Sequence, residues 1–244
     1  MNSLRGMLFY IVLGISVIPL SLALLLMVPF TGNEARYDLI RLWGRFMLAA
    51  LSVICGIRTR VSGLENCPEG PAVVLSKHQS AWECFWLGCC LPKRCAYVYK
   101  ESLNRIPFFG WAVWSIGLLS IDRSDPRSAF RTFMTKGVGF LNRGWWIALF
   151  PEGTRVPPGK HVKYKSGGAR LAASQGAPIL PVALNSGLCW PKDSIAKLPG
   201  TITVTIGRPI ATAGRPVKEV EAEVEQWIET ESDRLIAIGQ KQFL

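Results

Sequence analysis

The apolar stretch from Met7 to Phe30, which contains no charged residue, constrains the fold more than any other feature. A helix over these 24 residues is about 36 Å long, which is enough to cross the hydrocarbon core of a bilayer. The residues that leave this stretch, VPFTGN, contain no small-residue cleavage site of the kind that ends a secretory signal. The stretch therefore predicts an uncleaved transmembrane helix at about residues 7–30. A buried hydrophobic hairpin in a soluble protein remains the alternative.

A second apolar stretch covers residues 42–57 and contains Arg45. As a helix it is only about 24 Å long, so we expect it to lie at the membrane interface or to re-enter the bilayer. Residues 1–60 thus form a predicted membrane anchor. Most basic residues near the first stretch follow it, which places the rest of the chain on the cytoplasmic side of a bacterial inner membrane or an equivalent membrane. These residues are Arg36, Arg41, Arg45, Arg58 and Arg60, against Arg5 before it.

The charge balance indicates an anionic partner. The chain has 28 Lys and Arg against 17 Asp and Glu, a formal net charge of +11. Its nine Trp residues and 49% apolar composition favour anionic membrane lipids over nucleic acid. The seven cysteines include no CxxC pair and have no metal-spaced histidines, so no metal site is predicted.

The sequence changes character after residue 60. Short runs of β-branched and aromatic residues alternate with helical stretches, which predicts a single α/β domain over residues 61–244 with a mostly parallel sheet flanked by helices. The predicted strands cover residues 72–75, 96–99, 118–121, 146–150, 179–184 and 202–206, and the predicted helices cover 81–91, 107–115, 128–141, 168–175 and 217–238.

One of the two histidines, His78, follows a predicted strand. Open α/β sheets bind ligands at the carboxyl ends of their strands, so His78 has a favourable position for chemistry. Glu83 comes five residues later, and on one continuous helix the two side chains would lie about 140° apart. They meet if residues 76–80 form a turn and Glu83 lies in the first turn of a helix. The pair then supplies a general base with an orienting carboxylate and no nucleophile. A surface histidine beside an unrelated acid is the alternative.

A second group of functional residues follows the strand at 146–150. The run FPEGTR, residues 150–155, offers the Arg155 guanidinium for phosphate oxygens and Gly153 for a close backbone approach. Lys165 lies in the basic loop that follows. Arg123 follows the strand at 118–121 and so belongs to the same edge of the sheet. These residues predict a phosphorylated ligand, although a tight turn with a solvated basic loop has the same composition.

Taken together, these motifs resemble those of the glycerolipid acyltransferases. The resemblance covers about residues 60–210 and rests on HQSAWE at 78–83, the stretch 100–110, IDR at 121–123, FPEGTR at 150–155 and PILPV at 178–182. It implies the glycerol-3-phosphate acyltransferase-like α/β fold. It also implies transfer of an acyl chain from acyl-CoA or acyl-carrier protein to the free hydroxyl of lysophosphatidic acid, forming phosphatidic acid, without a metal or another cofactor.

The resemblance also implies roles for individual residues. His78 takes the place of the base, and Glu83 stands where the family usually has Asp. The acceptor-binding motif corresponds to Glu152, Gly153, Thr154 and Arg155, with Arg123 and Lys165 as helpers. Three alternatives stay open: another lysophospholipid acceptor, a lipid esterase, and a non-enzymatic anionic-lipid-binding protein. The esterase is disfavoured because the chain has no G-x-S-x-G turn.

Overall fold

Buried runs of aliphatic and β-branched residues form a central seven-stranded sheet. The computed structural model of the chain describes residues 1–122 and 124–243. The strands are β1 (Ile57–Ser62), β2 (Val73–Ser76), β3 (Cys95–Lys100), β4 (Leu119–Ile121), β5 (Trp146–Leu149), β6 (Ile179–Leu184) and β7 (Gly200–Ile206). The α-helices are α1 (Asn2–Met27), α2 (Asn33–Cys55), α3 (Trp82–Cys90), α4 (Phe109–Ser115), α5 (Pro126–Leu141), α6 (Gly167–Gln175) and α7 (Val217–Gln240).

The strand order is β1-β7-β6-β2-β5-β3-β4, and only β6 and β7 pair in antiparallel fashion. Strands β2 and β5 are parallel neighbours at the centre of the sheet. Their carboxyl ends therefore lie side by side, and the HQSAWE and FPEGTR motifs both begin there. The predicted fold class is confirmed, and every strand and helix predicted after residue 61 is present with bounds within two residues.

Helices cover both faces of the sheet. Val74 and the residues on its side of the sheet pack against α2 and α3, whereas Val73 and Leu75 pack against α5, α6 and α7. Because both faces are buried, the central strands read as continuous apolar runs rather than as alternating ones. This is why the sequence pattern located them.

Strand β1 was not predicted. The second apolar helix was expected to continue to residue 57, but α2 spans Asn33–Cys55 and ends at Gly56, whose φ is +69°. Ile57 then begins β1, which pairs in parallel with β7. In β1 only Ile57 is buried, and most of the other residues are exposed. An edge strand of this kind is held by main-chain pairing, so it carries no apolar periodicity for a sequence analysis to detect.

Helices α1 and α2 pack against each other and against the α/β domain. Trp43 Nε1 of α2 donates to Ser16 Oγ of α1 at 3.0 Å. At the start of α1, the Lys197 N–H donates to the Asn2 carbonyl at 3.3 Å, and towards its other end Ser21 Oγ donates to the Phe108 carbonyl at 2.7 Å. Of the described helices, α1 is the one that is long and apolar enough to cross a membrane. One side of α1 is thus held by protein along its length, and its other side is apolar and exposed.

Candidate active site

The His78 ring is held by a carboxylate and an aromatic ring. Helix α3 begins at Trp82, so a turn separates His78 from the helix and Glu83 lies in the first helical turn, as the spacing predicted. His78 Nδ1 lies 3.4 Å from Glu83 Oε2. The imidazole stacks on Phe150, with the ring centroids 3.8 Å apart and the planes 12° apart. These contacts set both the position of the ring and its plane.

Glu83 is completely buried. Its carboxylate accepts the backbone N–H groups of Gln79 at 3.1 Å and Ser80 at 3.0 Å, and it also accepts the hydroxyls of Ser80 and Ser186. A buried carboxylate needs such donors because it has lost its hydration. The donors also fix the rotamer of Glu83, and one carboxylate oxygen remains next to the histidine.

The FPEGTR loop holds the main chain of His78 from both sides. The His78 N–H donates to Glu152 Oε2 at 2.6 Å, and the His78 carbonyl accepts the N–H of Val156 at 2.7 Å. The Glu152 side chain is fully buried and its other carboxylate oxygen lies 2.9 Å from Lys77 Nζ. The two motifs that the sequence placed at neighbouring strand ends are therefore bonded directly to each other.

Burial raises the pKa of the Glu152 carboxyl to about 7, and the neighbouring Lys77 ammonium offsets part of this rise. The folded protein thus binds a proton at Glu152 more tightly than the unfolded chain, whose carboxyl has an ordinary pKa of 4.5. The stabilisation linked to this proton is complete below the unfolded pKa and is lost as the pH rises through about 7. It amounts to roughly 3 kcal/mol, since one pKa unit corresponds to about 1.4 kcal/mol.

We therefore expect Glu152→Gln, which cannot titrate, to gain thermal stability relative to the wild type as the pH rises from about 5 to about 8. The measurement is the melting temperature of both proteins across this range. Glu69→Gln, at an exposed glutamate, is the control and should track the wild type. A constant difference between Glu152→Gln and the wild type at all pH values would contradict the raised pKa.

A cavity of about 1130 Å³ opens beside His78. Part of its wall is apolar, formed by side chains of the sheet and of α5. Another part is basic. The apolar residues include Leu75, Val98, Ile121, Phe130, Phe133 and Leu149, and the basic residues are Lys163, Lys165, Arg170 and Lys218. A cavity with this division suits a ligand that has both a hydrocarbon part and an anionic part.

Gly153 allows Lys165 to cross the FPEGTR loop. Gly153 has a φ of +72°, and a Cβ atom at this position would lie 2.5 Å from Lys165 Nζ. Another residue would be strained by the backbone conformation and would displace the lysine. His78, Gly153 and Lys165 are the predicted site residues that line the cavity.

The other predicted site residues lie elsewhere. Arg155 is about one-third exposed and pairs with Asp193 at 3.0 Å, and Thr154 is exposed. Neither is among the described residues that line the cavity. Glu152 faces inwards, as described above. Arg123 lies outside the described residues. Within residues 1–122 and 124–243, no group of three or more His, Cys, Asp and Glu side chains is arranged to hold a metal ion.

Three residues that contact the site were missed by the sequence analysis: Lys77, Ser186 and Glu229. Lys77 could have been noticed in the sequence, because it lies directly between an apolar strand and a candidate base. Ser186 and Glu229 carry no local signal, because they reach the site from loops and helices far along the chain.

Comparison with known proteins identifies the relatives of this chain. The family model for acyltransferases matches residues 58–185. The 1-acyl-sn-glycerol-3-phosphate acyltransferase of Pseudomonas aeruginosa is 38% identical, with 98% of this chain and 95% of that protein covered. A chloroplastic 1-acyl-sn-glycerol-3-phosphate acyltransferase of Brassica napus is 31% identical, with 86% of this chain and 62% of that protein covered.

A solved structure agrees with these relatives. The crystal structure of the 1-acyl-sn-glycerophosphate (LPA) acyltransferase PlsC from Thermotoga maritima matches with a TM-score of 0.79 and 25% identity, covering 96% of this chain and 95% of that chain. The α/β fold and the carboxylate-held histidine thus define an acyltransferase. The chain belongs to the glycerolipid acyltransferase family, among the relatives of the 1-acyl-sn-glycerol-3-phosphate acyltransferases.

Proposed function

We propose that this enzyme transfers a fatty acyl chain from acyl-CoA or acyl-carrier protein to the free hydroxyl of 1-acylglycerol-3-phosphate, forming phosphatidic acid in phospholipid biosynthesis. The observation that carries the proposal is the His78–Glu83 pair at the wall of a cavity that is apolar in one part and basic in another. A lysophosphatidic acid has the same division between acyl chain and phosphate. The names of the relatives support this acceptor.

In the proposed reaction, His78 accepts the proton of the acceptor hydroxyl while that oxygen attacks the thioester carbonyl carbon. The C–O bond forms, and when the tetrahedral intermediate collapses the C–S bond breaks. The thiolate leaves with the electron pair of that bond and takes the proton from the imidazolium. The products are an ester and a free thiol, so the histidine is regenerated and no metal or other cofactor takes part.

Glu83 stabilises the imidazolium that forms during the transfer and keeps the proton of the resting imidazole on Nδ1. The fixed rotamer of Glu83 supports this role, because the carboxylate does not have to move between the neutral and the charged states of the ring. A carboxylate that is already oriented loses no free energy to reorganisation during the reaction.

We place the phosphate of the acceptor next to the FPEGTR loop, where Arg155, Thr154 and Lys165 offer donors around the Gly153 turn. Arg155 would exchange its exposed partner Asp193 for the phosphate, since a guanidinium binds two phosphate oxygens at once. Glu152 contributes by holding the loop against His78. The proposed contribution of Arg123 rests on the sequence motif.

We expect Arg155→Ala to raise the KM for lysophosphatidic acid by about 10- to 100-fold with a smaller change in kcat, because a charge-assisted hydrogen bond contributes about 1.5–3 kcal/mol. Steady-state kinetics with the acceptor varied will show this. Arg94→Ala is a matched control, since Arg94 is similarly exposed and pairs with Asp38 at 2.7 Å. Equal KM values for the Arg155 and Arg94 variants would rule out the phosphate contact.

The function itself is tested by incubating the purified protein with a labelled acyl-CoA or acyl-carrier protein and a panel of lysophospholipids with different head groups. Labelled phosphatidic acid as the main product supports the proposal, and the two donors compared at equal concentration show which carrier is used. Preferential labelling of another phospholipid would show that a different lysophospholipid is the acceptor. Release of free fatty acid without any acceptor dependence would indicate an esterase instead.

We also propose that the protein is an integral membrane protein with its α/β domain on the cytoplasmic side, attached to anionic lipids. Its support is the set of large apolar side chains that α1, α2 and α4 expose, which includes Leu8, Ile11, Ile15, Ile18, Leu22, Phe46, Val53, Trp111 and Trp114. Because the first turn of α1 contacts the domain, an N-terminal tag should be digested together with the domain in inverted membrane vesicles. Release of the protein by alkaline carbonate would contradict integral attachment.

A further inference from the structure

Lys77 is a buried cation directly beside the proposed base. Its N–H donates to the Val182 carbonyl at 3.0 Å, which extends the ladder between β2 and β6 by one residue. Its side chain is only 1% exposed. Removing an ammonium from water costs several kcal/mol unless opposite charges surround it, so a lysine in this position requires partners.

Two carboxylates supply those partners. Lys77 Nζ lies 2.9 Å from Glu152 Oε1 and 2.7 Å from both carboxylate oxygens of Glu229 in α7. Tyr164 donates its hydroxyl to Glu229 at 2.8 Å, and His161 Nε2 lies 3.4 Å from the same carboxylate on the exposed side. Glu229 therefore has other partners besides Lys77.

Glu152 has fewer alternatives. Its Oε2 atom accepts the His78 N–H at 2.6 Å, and its Oε1 atom faces Lys77. Neighbouring residues of an extended chain point their side chains to opposite faces, so Lys77 and His78 cannot meet directly. The Glu152 carboxylate joins them, through the ammonium of one and the main-chain N–H of the other.

We propose that Lys77 is a positioning residue for the acyl transfer: its ammonium, 2.9 Å from Glu152 Oε1, holds the Glu152 side chain in place, and Glu152 in turn holds the His78 main chain and therefore the imidazole. The role rests on the proposed transfer reaction, in which His78 is the base. Lys77 is not among the described residues that line the cavity, and the loop after β5 keeps its bond from the Val156 N–H to the His78 carbonyl without Lys77. We therefore expect a change at Lys77 to act on kcat rather than on substrate affinity.

A purely structural role is the competing explanation, in which Lys77 serves only to neutralise Glu229. The two explanations differ in the double variant Lys77→Met/Glu229→Gln. This variant removes the ammonium and also the Glu229 charge that Lys77→Met alone would leave unpaired in the interior. It keeps side-chain volumes similar and leaves Tyr164 an amide oxygen to donate to, so it is expected to fold even where Lys77→Met does not.

The experiment measures melting temperature, kcat and both KM values for the wild type, Glu229→Gln and the double variant. We expect the double variant to lose about 10- to 100-fold in kcat with KM values within about twofold of the wild type, because displacement of a base by about 1 Å costs rates of this order. Glu229→Gln, which keeps Lys77 on Glu152, should lose much less.

The inference is overturned if the double variant has the same kcat as Glu229→Gln, since Lys77 would then serve only to neutralise Glu229. It is also overturned if the loss appears in KM rather than in kcat. Failure of the proposed function has a different signature: the wild type itself would then transfer no acyl chain in the parallel assay.

Discussion

His78→Ala is expected to lower the rate of acyl transfer by about 10²- to 10⁴-fold, the contribution typical of a positioned general base. The reason is structural as well as chemical. The imidazole lies at the cavity wall, 3.4 Å from Glu83 and stacked on Phe150. No other histidine lines the described cavity, so no second imidazole is in place to take over the proton transfer.

The measurement is kcat with saturating donor and acceptor, together with the melting temperature to show that the fold is retained. The cavity left by the ring is open to small molecules, so added imidazole should restore part of the lost rate of the alanine variant. A variant that transfers acyl chains within a few-fold of the wild-type rate would remove His78 as the base, and with it the proposed mechanism.

Glu83→Gln is expected to have the second largest effect, a loss of about 10²-fold or more in kcat with little change in either KM. Glu83 Oε1 accepts the backbone N–H groups of Gln79 and Ser80, whereas Oε2 faces His78 Nδ1 and is also within reach of the Ser80 N–H. A glutamine would keep its oxygen on the backbone donors, and its NH₂ would then meet Nδ1. The ring would respond by moving its proton to Nε2, which abolishes the base.

Glu83→Asp is the matched control because it keeps the charge and shortens the side chain by one methylene. The family usually has Asp at this position, so we expect the aspartate variant to retain more activity than the glutamine variant. A kcat that falls in the order wild type, Glu83→Asp, Glu83→Gln supports a role for the charge. Equal rates for the Gln and Asp variants would show that the carboxylate does not orient the base.

Much of the fold was predictable because the signals are local. The buried parallel strands read as continuous apolar runs, and the turn between His78 and Glu83 follows from their spacing. Strand β1 escaped detection because it is an edge strand in which only Ile57 is buried. Main-chain pairing with β7 holds it, and such pairing leaves no periodic pattern in the side chains.

The site was predictable to a similar degree. The sequence pointed to His78 and Glu83, and the structure brings them together. The sequence also grouped Glu152 with the residues that would bind substrate, whereas in the structure its carboxylate points inwards to the His78 N–H and Lys77. The direction in which a side chain points from a loop depends on the packing around that loop, which a motif does not contain.

The sequence by itself determined the class of the protein, the apolar N-terminal helix, the α/β domain and the histidine and carboxylate that meet at a strand end. Each depends on residues close together in the chain. Only the tertiary structure decided that α1 contacts the domain near both of its ends, that Arg155 pairs with Asp193, and that a buried lysine connects α7 to the proposed base. The physical reason is that burial and charge pairing between distant segments arise only when the chain has folded, because the free energy of a buried charge depends on every element packed around it.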